Sequence, residues 1–183
     1  MEIIKKINYL NILKYSLYAL LGTIVLAVSA KLKIPFYPVP MTMQTFIVLI
    51  IGILFGWKLG LATLSLYLFE GIIGLPVFSG TPEKGIGIIY FTGPTMGYLL
   101  GFLPAVFLSG FLTFDKNLFK NFFKLVFATS FIYLMGVFWL GTIIGWDKPI
   151  YKLGVEPFLL AELFKILLIT FLLSSLKKIK NWI

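Results

Sequence analysis

The sequence predicts an all-α integral membrane protein with six transmembrane helices and both termini on the cytoplasmic side. Three observations predict it. Of 183 residues, 60% are hydrophobic and only 13% are charged, against about 45–50% and about 25% in soluble domains. Apolar stretches alternate with short polar punctuation, over residues 10–30, 41–56, 59–76, 94–114, 121–146 and 157–176. Lysines gather at the ends of these stretches, where a bilayer-spanning chain meets headgroups and water. Residues 1–183 read as a single transmembrane domain.

The first stretch follows Lys5 and Lys6 and ends in Val28-Ser29-Ala30, a pattern that also suits a signal-peptide cleavage site. It is longer than the usual h-region of about 7–15 residues, and Lys14 interrupts its start, so a retained helix is expected. The second and third stretches are short. A helix of about sixteen residues rises roughly 24 Å, less than a hydrocarbon core of ~30 Å. Gly56-Trp57-Lys58-Leu59-Gly60 is the expected tight turn between them, although hydropathy also permits one re-entrant hairpin. The last three stretches are long enough to cross singly.

With the N-terminus inside, the cytoplasmic lysines are Lys5, Lys6, Lys14, Lys58, Lys116, Lys120, Lys124, Lys177, Lys178 and Lys180. The outer side then holds Lys31, Lys33, Lys84, Lys148 and Lys152, with Lys165 buried. This excess inside agrees with the positive-inside rule. The elaborate loops, 34–40, 76–93 and 145–157, all fall outside. Binding residues tend to collect on loops held by a rigid scaffold, so an outward-facing pocket is expected. The prolines of 34–40 fix φ and stiffen one wall.

Composition also removes chemistries. All sixteen basic residues are Lys, and there is no His and no Cys. Disulfides, thiolate or imidazole catalysis and Cys/His metal sites are therefore not expected; no cofactor, metal or catalytic group is read from the chain. A net charge of +9 would suit a nucleic-acid binder, but no basic stripe or motif accompanies it. Gly80-Thr-Pro-Glu-Lys-Gly85 resembles a phosphate loop only superficially. A Walker A loop needs Gly-Lys-Ser/Thr leading into a helix, and here Lys84 precedes Gly85 and Ile86 follows. Any ATPase is another polypeptide.

Chemistry is concentrated in the last stretch, where Glu162 and Lys165 interrupt an apolar helix. A charge near the bilayer centre costs at least ~2.5–3.5 kcal/mol. Residues three apart share a helical face, so the two can point inward together. The pair is either a buried structural ion pair or part of a polar substrate pocket. Other polar groups at membrane depth are few: Gln44, with donors and an acceptor, Glu70, Tyr133 and Trp139, the last able to stack on a flat guest. Gly52, Gly56 and Gly60, and Gly93, Gly97 and Gly101, carry the small-residue spacing that lets helices approach closely. Ala19, Thr23 and Ala27 repeat it on the first helix, as internal packing or as a docking face for a partner helix.

Four segments carry a family resemblance: Val39-Pro-Met-Thr-Met-Gln-Thr45, Gly74-Leu-Pro-Val-Phe78, Gly93-Pro-Thr-Met-Gly-Tyr-Leu-Leu-Gly-Phe102 and Gly154-Val-Glu-Pro-Phe158. In order and spacing they resemble the BioY family, the biotin-binding S components of energy-coupling factor (ECF) transporters, over residues 16 to 176. The resemblance implies a six-helix S-component bundle in a bacterial cytoplasmic membrane that captures biotin from outside. It implies partners as well: an EcfT-like transmembrane subunit docked on Ala19, Thr23 and Ala27, and ATPase subunits. It places the family's Asp-x-x-Lys on Glu162 and Lys165, with Ala161-Glu162 replacing the usual Gly-Asp and carrying the carboxylate one methylene further. Some members use a third-loop Arg for the substrate carboxylate; this chain has none, leaving Lys84 or Lys165. Biotin presents two ureido N–H donors, a carbonyl, an apolar thioether ring and a carboxylate. Glu162 suits the N–H groups, Lys165 or Lys84 the carbonyl or carboxylate, Gln44 a polar edge, and Trp139 or Tyr133 the ring.

Overall fold

The computed structural model describes residues 9–34 and 37–180. Lys5, Lys6, Pro35 and Phe36 lie outside the described residues. Helix α1 spans Tyr9–Lys31 and α2 spans Gln44–Ile72, with the short antiparallel strands β1 (Lys33–Ile34) and β2 (Met41–Thr42) between them. Then come α3 (Met96–Phe111), α4 (Leu118–Ile144), the short α5 (Ile150–Gly154) and α6 (Leu159–Lys180). Short 3₁₀ helices, Gly87–Thr92 and Glu156–Phe158, lie in the two long loops. Four helical stretches, Asn11–Lys31, Gln44–Ile72, Leu118–Ile144 and Ile150–Lys180, are long and apolar enough to cross a membrane, and Met96–Phe111 is a shorter apolar helix.

Helix α2 is not straight. Gly56 sits at φ 72°, ψ 173°, outside the helical region. The Gln44 amide donates to the Tyr67 hydroxyl at 2.8 Å, whereas 23 residues of one straight helix would rise roughly 34 Å. The chain therefore doubles back at Gly56, and residues 44–55 and 57–72 run side by side. Positive φ is open to glycine without steric cost, so this position holds the turn. Met41 and Thr42, expected at the start of a span, instead pair with β1, and the helix starts at Gln44.

The glycine spacings are seams within the chain. A Cβ on Gly52 would lie 2.0 Å from Ser109 Oγ and 2.6 Å from the Val106 carbonyl; one on Gly101 would lie 2.6 Å from Ile132 Cα. These contacts clamp α3 between α2 and α4, the close approach that small residues allow where apolar burial from water does not drive helix association. One core cluster links α1, α2, α3 and the loop after α2 through Leu26, Leu64, Tyr67, Phe78 and Val106. A second joins the first arm of α2 to α4 and α6 through Leu49, Leu125, Ile166 and Ile169.

The small-residue stripe on α1 faces the same way. Ala19 is 8% exposed and Thr23 only 2%, and Ala27 is half-buried. Thr23 Oγ1 donates to Glu70 Oε1 at 2.9 Å, and a Cβ on Gly22 would lie 2.6 Å from Thr63. The stripe expected to receive a partner is thus turned onto α2 in this structure, where half-buried Glu70 lies within hydrogen-bond reach of Thr23. The face left uncovered carries Leu17, Leu20, Ile24 and Val28.

Candidate functional site

Three of the four sequence signatures line one cavity, and Ser79, directly after the fourth, joins its wall. Its polar wall includes Gln44, Thr45, Ser79, Tyr90, Thr95 and Glu162; its apolar wall includes Leu99, Phe102, Ile132, Tyr98, Tyr133 and Phe158. The segment 39–45 leads into α2, 93–102 opens α3, and 154–158 precedes α6. Each signature therefore lies where a loop enters or leaves a helix, the place where backbone can face a ligand while a helix holds it still.

Glu162 and Lys165 lie on one face of α6, 6% and 7% exposed, joined at 2.8 Å. A buried ion pair is tolerated only when its remaining hydrogen-bonding capacity is also met. The first turn of α2 meets most of it. Lys165 Nζ donates to the Thr42 carbonyl at 2.6 Å and to Thr45 Oγ1 at 3.0 Å, while the Thr45 hydroxyl donates to Glu162 Oε1 at 2.7 Å. Glu162 Oε2 accepts no hydrogen bond from the described residues, and the Ser79 hydroxyl has no partner among them either. Both residues line the same cavity. The Tyr133 hydroxyl lies close enough to the Glu162 carboxylate to interact with it, although no hydrogen bond of normal geometry reaches Oε2. An unmet buried acceptor costs of order 1–3 kcal/mol, so the site is built to receive a donor.

The loop carrying Ser79 is anchored from three sides. Phe78, 1% exposed, packs edge-on against Tyr67 at 5.2 Å and beside Tyr90 at 4.9 Å. Gly71 makes the room, since a Cβ there would lie 2.0 Å from the Phe78 ring. Tyr90 Oη donates to the Ser79 carbonyl at 2.8 Å. Burial pushes the Tyr90 phenol above its ordinary value, against the opposing effect of a hydrogen bond with Thr95, so it remains a neutral donor. From the end of α1, Lys31 Nζ reaches the carbonyls of Phe78 (3.0 Å) and Thr81 (2.9 Å) and Thr81 Oγ1 (3.0 Å).

Of the residues expected at the site, Glu162, Gln44 and Tyr133 line the cavity, and Lys165 lies directly behind Glu162. Gln44 spends one amide N–H on Tyr67. Lys84 is exposed on the third loop and outside the lining, its backbone N–H bonded to Gly80 O. Trp139 is half-buried and also outside the lining; its indole N–H donates to the Gly93 carbonyl at 2.9 Å and pins the start of α3. Sequence reasoning missed Thr45, Ser79, Tyr90, Tyr98 and Phe158. Thr45, Tyr98 and Phe158 were inside the quoted signatures, and Ser79 follows one directly, so their position beside those motifs was the available signal.

The model of the BioY family matches residues 5–181. A protein of Pyrococcus horikoshii named "Probable biotin transporter BioY" is 34% identical over 76% of this chain and 81% of its own length. The "Biotin transporter BioY" of Thermotoga maritima is 33% identical over 86% of this chain and 92% of its own. The crystal structure of an S-component for biotin from an ECF-type ABC transporter superposes with a TM-score of 0.77 at 26% identity, covering 93% of this chain and 94% of that one.

Proposed function

The chain belongs to the BioY family, and we propose that it captures biotin in the cavity beside Glu162 as the substrate-specific component of an ECF-type transporter. It is a transporter subunit and not an enzyme. The observation that carries the ligand is the pair of unpartnered buried atoms, Glu162 Oε2 and Ser79 Oγ, facing one largely apolar cavity. Biotin's ureido group brings N–H donors for the carboxylate and a carbonyl or carboxylate oxygen for the hydroxyl. Tyr98, Tyr133 and Phe158 would enclose its thioether ring, and Lys84, on the same loop as Ser79, would meet the valerate carboxylate. The test is saturable binding of radiolabelled biotin to the purified chain; absence of binding by folded protein overturns the reading.

We propose six crossings, two of them from the arms of the doubled-back α2, with both ends on the cytoplasmic side and the 76–93 loop outside. The lysine distribution supports this orientation. The chain has no cysteine, so single replacements label cleanly. Lys84→Cys should react with a membrane-impermeant maleimide on intact cells, and Asn117→Cys only after permeabilisation. The opposite pattern overturns the orientation. Energy would come from separate EcfT-like and ATPase subunits. With Ala19 and Thr23 committed to α2, the transmembrane partner would contact α1 along the flank bearing Leu17, Leu20, Ile24 and Val28.

Lys31 would support binding through the loop rather than by contact. Lys31→Met removes three hydrogen bonds to the segment around Ser79 and should weaken biotin binding about tenfold, each net bond contributing of order 1 kcal/mol. Equilibrium titration checks it; unchanged affinity would mean the Phe78 and Tyr90 packing holds the loop unaided.

A further inference from the structure

The hydrogen bonds around the buried pair assign a specificity-setting role to Thr45, which acts through Glu162; the assignment rests on the biotin reading above. An ammonium has three N–H donors, and Lys165 directs them to Thr42 O, Thr45 Oγ1 and Glu162 Oε1. A hydroxyl has one proton, and that of Thr45 goes to Glu162 Oε1. Thr45 thus sits between acid and base, accepting from one and donating to the other. Oε1 receives two charge-assisted bonds and cannot turn into the cavity without losing both. What remains for a ligand is Oε2, an acceptor with no proton to give, while the cation behind it has no donor left to offer.

This arrangement reads the ligand's hydrogen-bond polarity. A group presenting N–H to Glu162 is matched; one presenting an alkyl group at that nitrogen leaves Oε2 buried and unmet. Without the Thr45 hydroxyl, Lys165 loses an acceptor and Oε1 a donor. The carboxylate can then rotate, and the ammonium can aim a donor where the ligand's own donor should sit. Thr45 is a positioning residue, and its removal should erase discrimination more than it weakens binding in general.

The measurement is equilibrium binding of biotin and of its two mono-N-methyl ureido derivatives to the purified full chain. Wild-type protein should bind biotin roughly 10- to 100-fold more tightly than the derivative blocked at the nitrogen facing Glu162. Thr45→Val should lose most of that ratio, with biotin weakened roughly 10- to 100-fold and the blocked derivative little changed. Thr45→Ser, which keeps the hydroxyl, should restore it. A purely structural role would weaken all ligands by one factor and leave the ratio intact, which overturns the proposal. Equal wild-type affinity for biotin and both derivatives overturns it too, while leaving biotin capture standing. Failure of the wild type to bind biotin overturns the functional reading itself. If Thr45→Val does not fold, Thr45→Ala is read by the same ratio.

Discussion

Glu162→Gln is expected to weaken biotin binding by about 2–4 kcal/mol, roughly 30- to 1000-fold, with the protein still inserted and folded. Three losses combine. The ligand's N–H groups meet an amide in place of a carboxylate, the charge-assisted bond from Thr45 weakens, and Lys165 is left as a buried cation without its counter-charge. Lys165→Met should do comparable damage for the opposite reason, stranding the carboxylate. The double replacement separates a structural pair from a binding site. It restores neutrality to α6, and apolar substitution of a buried ion pair is often tolerated, so folding should recover. Binding should not, because no buried anion then faces the cavity. Wild-type affinity in a well-folded double mutant would sink the assignment of Glu162 to the ligand.

Gly52→Val is expected to cost about 3 kcal/mol or more in stability, enough to lower the thermal transition in detergent sharply or prevent accumulation of folded protein. Even the first added carbon would sit 2.0 Å from Ser109 Oγ and 2.6 Å from the Val106 carbonyl. The hydroxyl can rotate away; the carbonyl belongs to α3 and cannot move without shifting the helix. Since α3 also closes on α4 at Gly97 and Gly101, the displacement would reach the cavity through Tyr98 and Phe102. A normal melting transition for Gly52→Val would show that α2 and α3 do not pack as described.

Gly56 shows what local sequence can carry. A glycine between two apolar runs too short to span singly invites a reversal, and the structure places positive φ there. The i, i+3 spacing of Glu162 and Lys165 likewise required one helix and no knowledge of neighbours. Ala19, Thr23 and Ala27 mark the limit of that reasoning. Their size makes them suitable for close approach, but size does not say to which helix, and the contact of Thr23 with Glu70, 47 residues away, is visible only in the packed structure. Lys165 is similar: its charge was legible, yet its commitment to Thr42 and Thr45 was not.

By itself, the sequence determined the apolar class of the protein, the run of helical segments and the presence of a charged pair on one face of the last helix. These follow from hydrophobic content and from periodicities within a single segment. The tertiary structure decided which oxygen of Glu162 has no partner among the described residues, where the three donors of Lys165 go and which loop hydroxyl joins the wall. Those depend on side chains far apart along the chain, 117 residues in the case of Thr45 and Glu162. A hydroxyl has one proton and an ammonium three, so only the packed arrangement of all their acceptors settles where each goes.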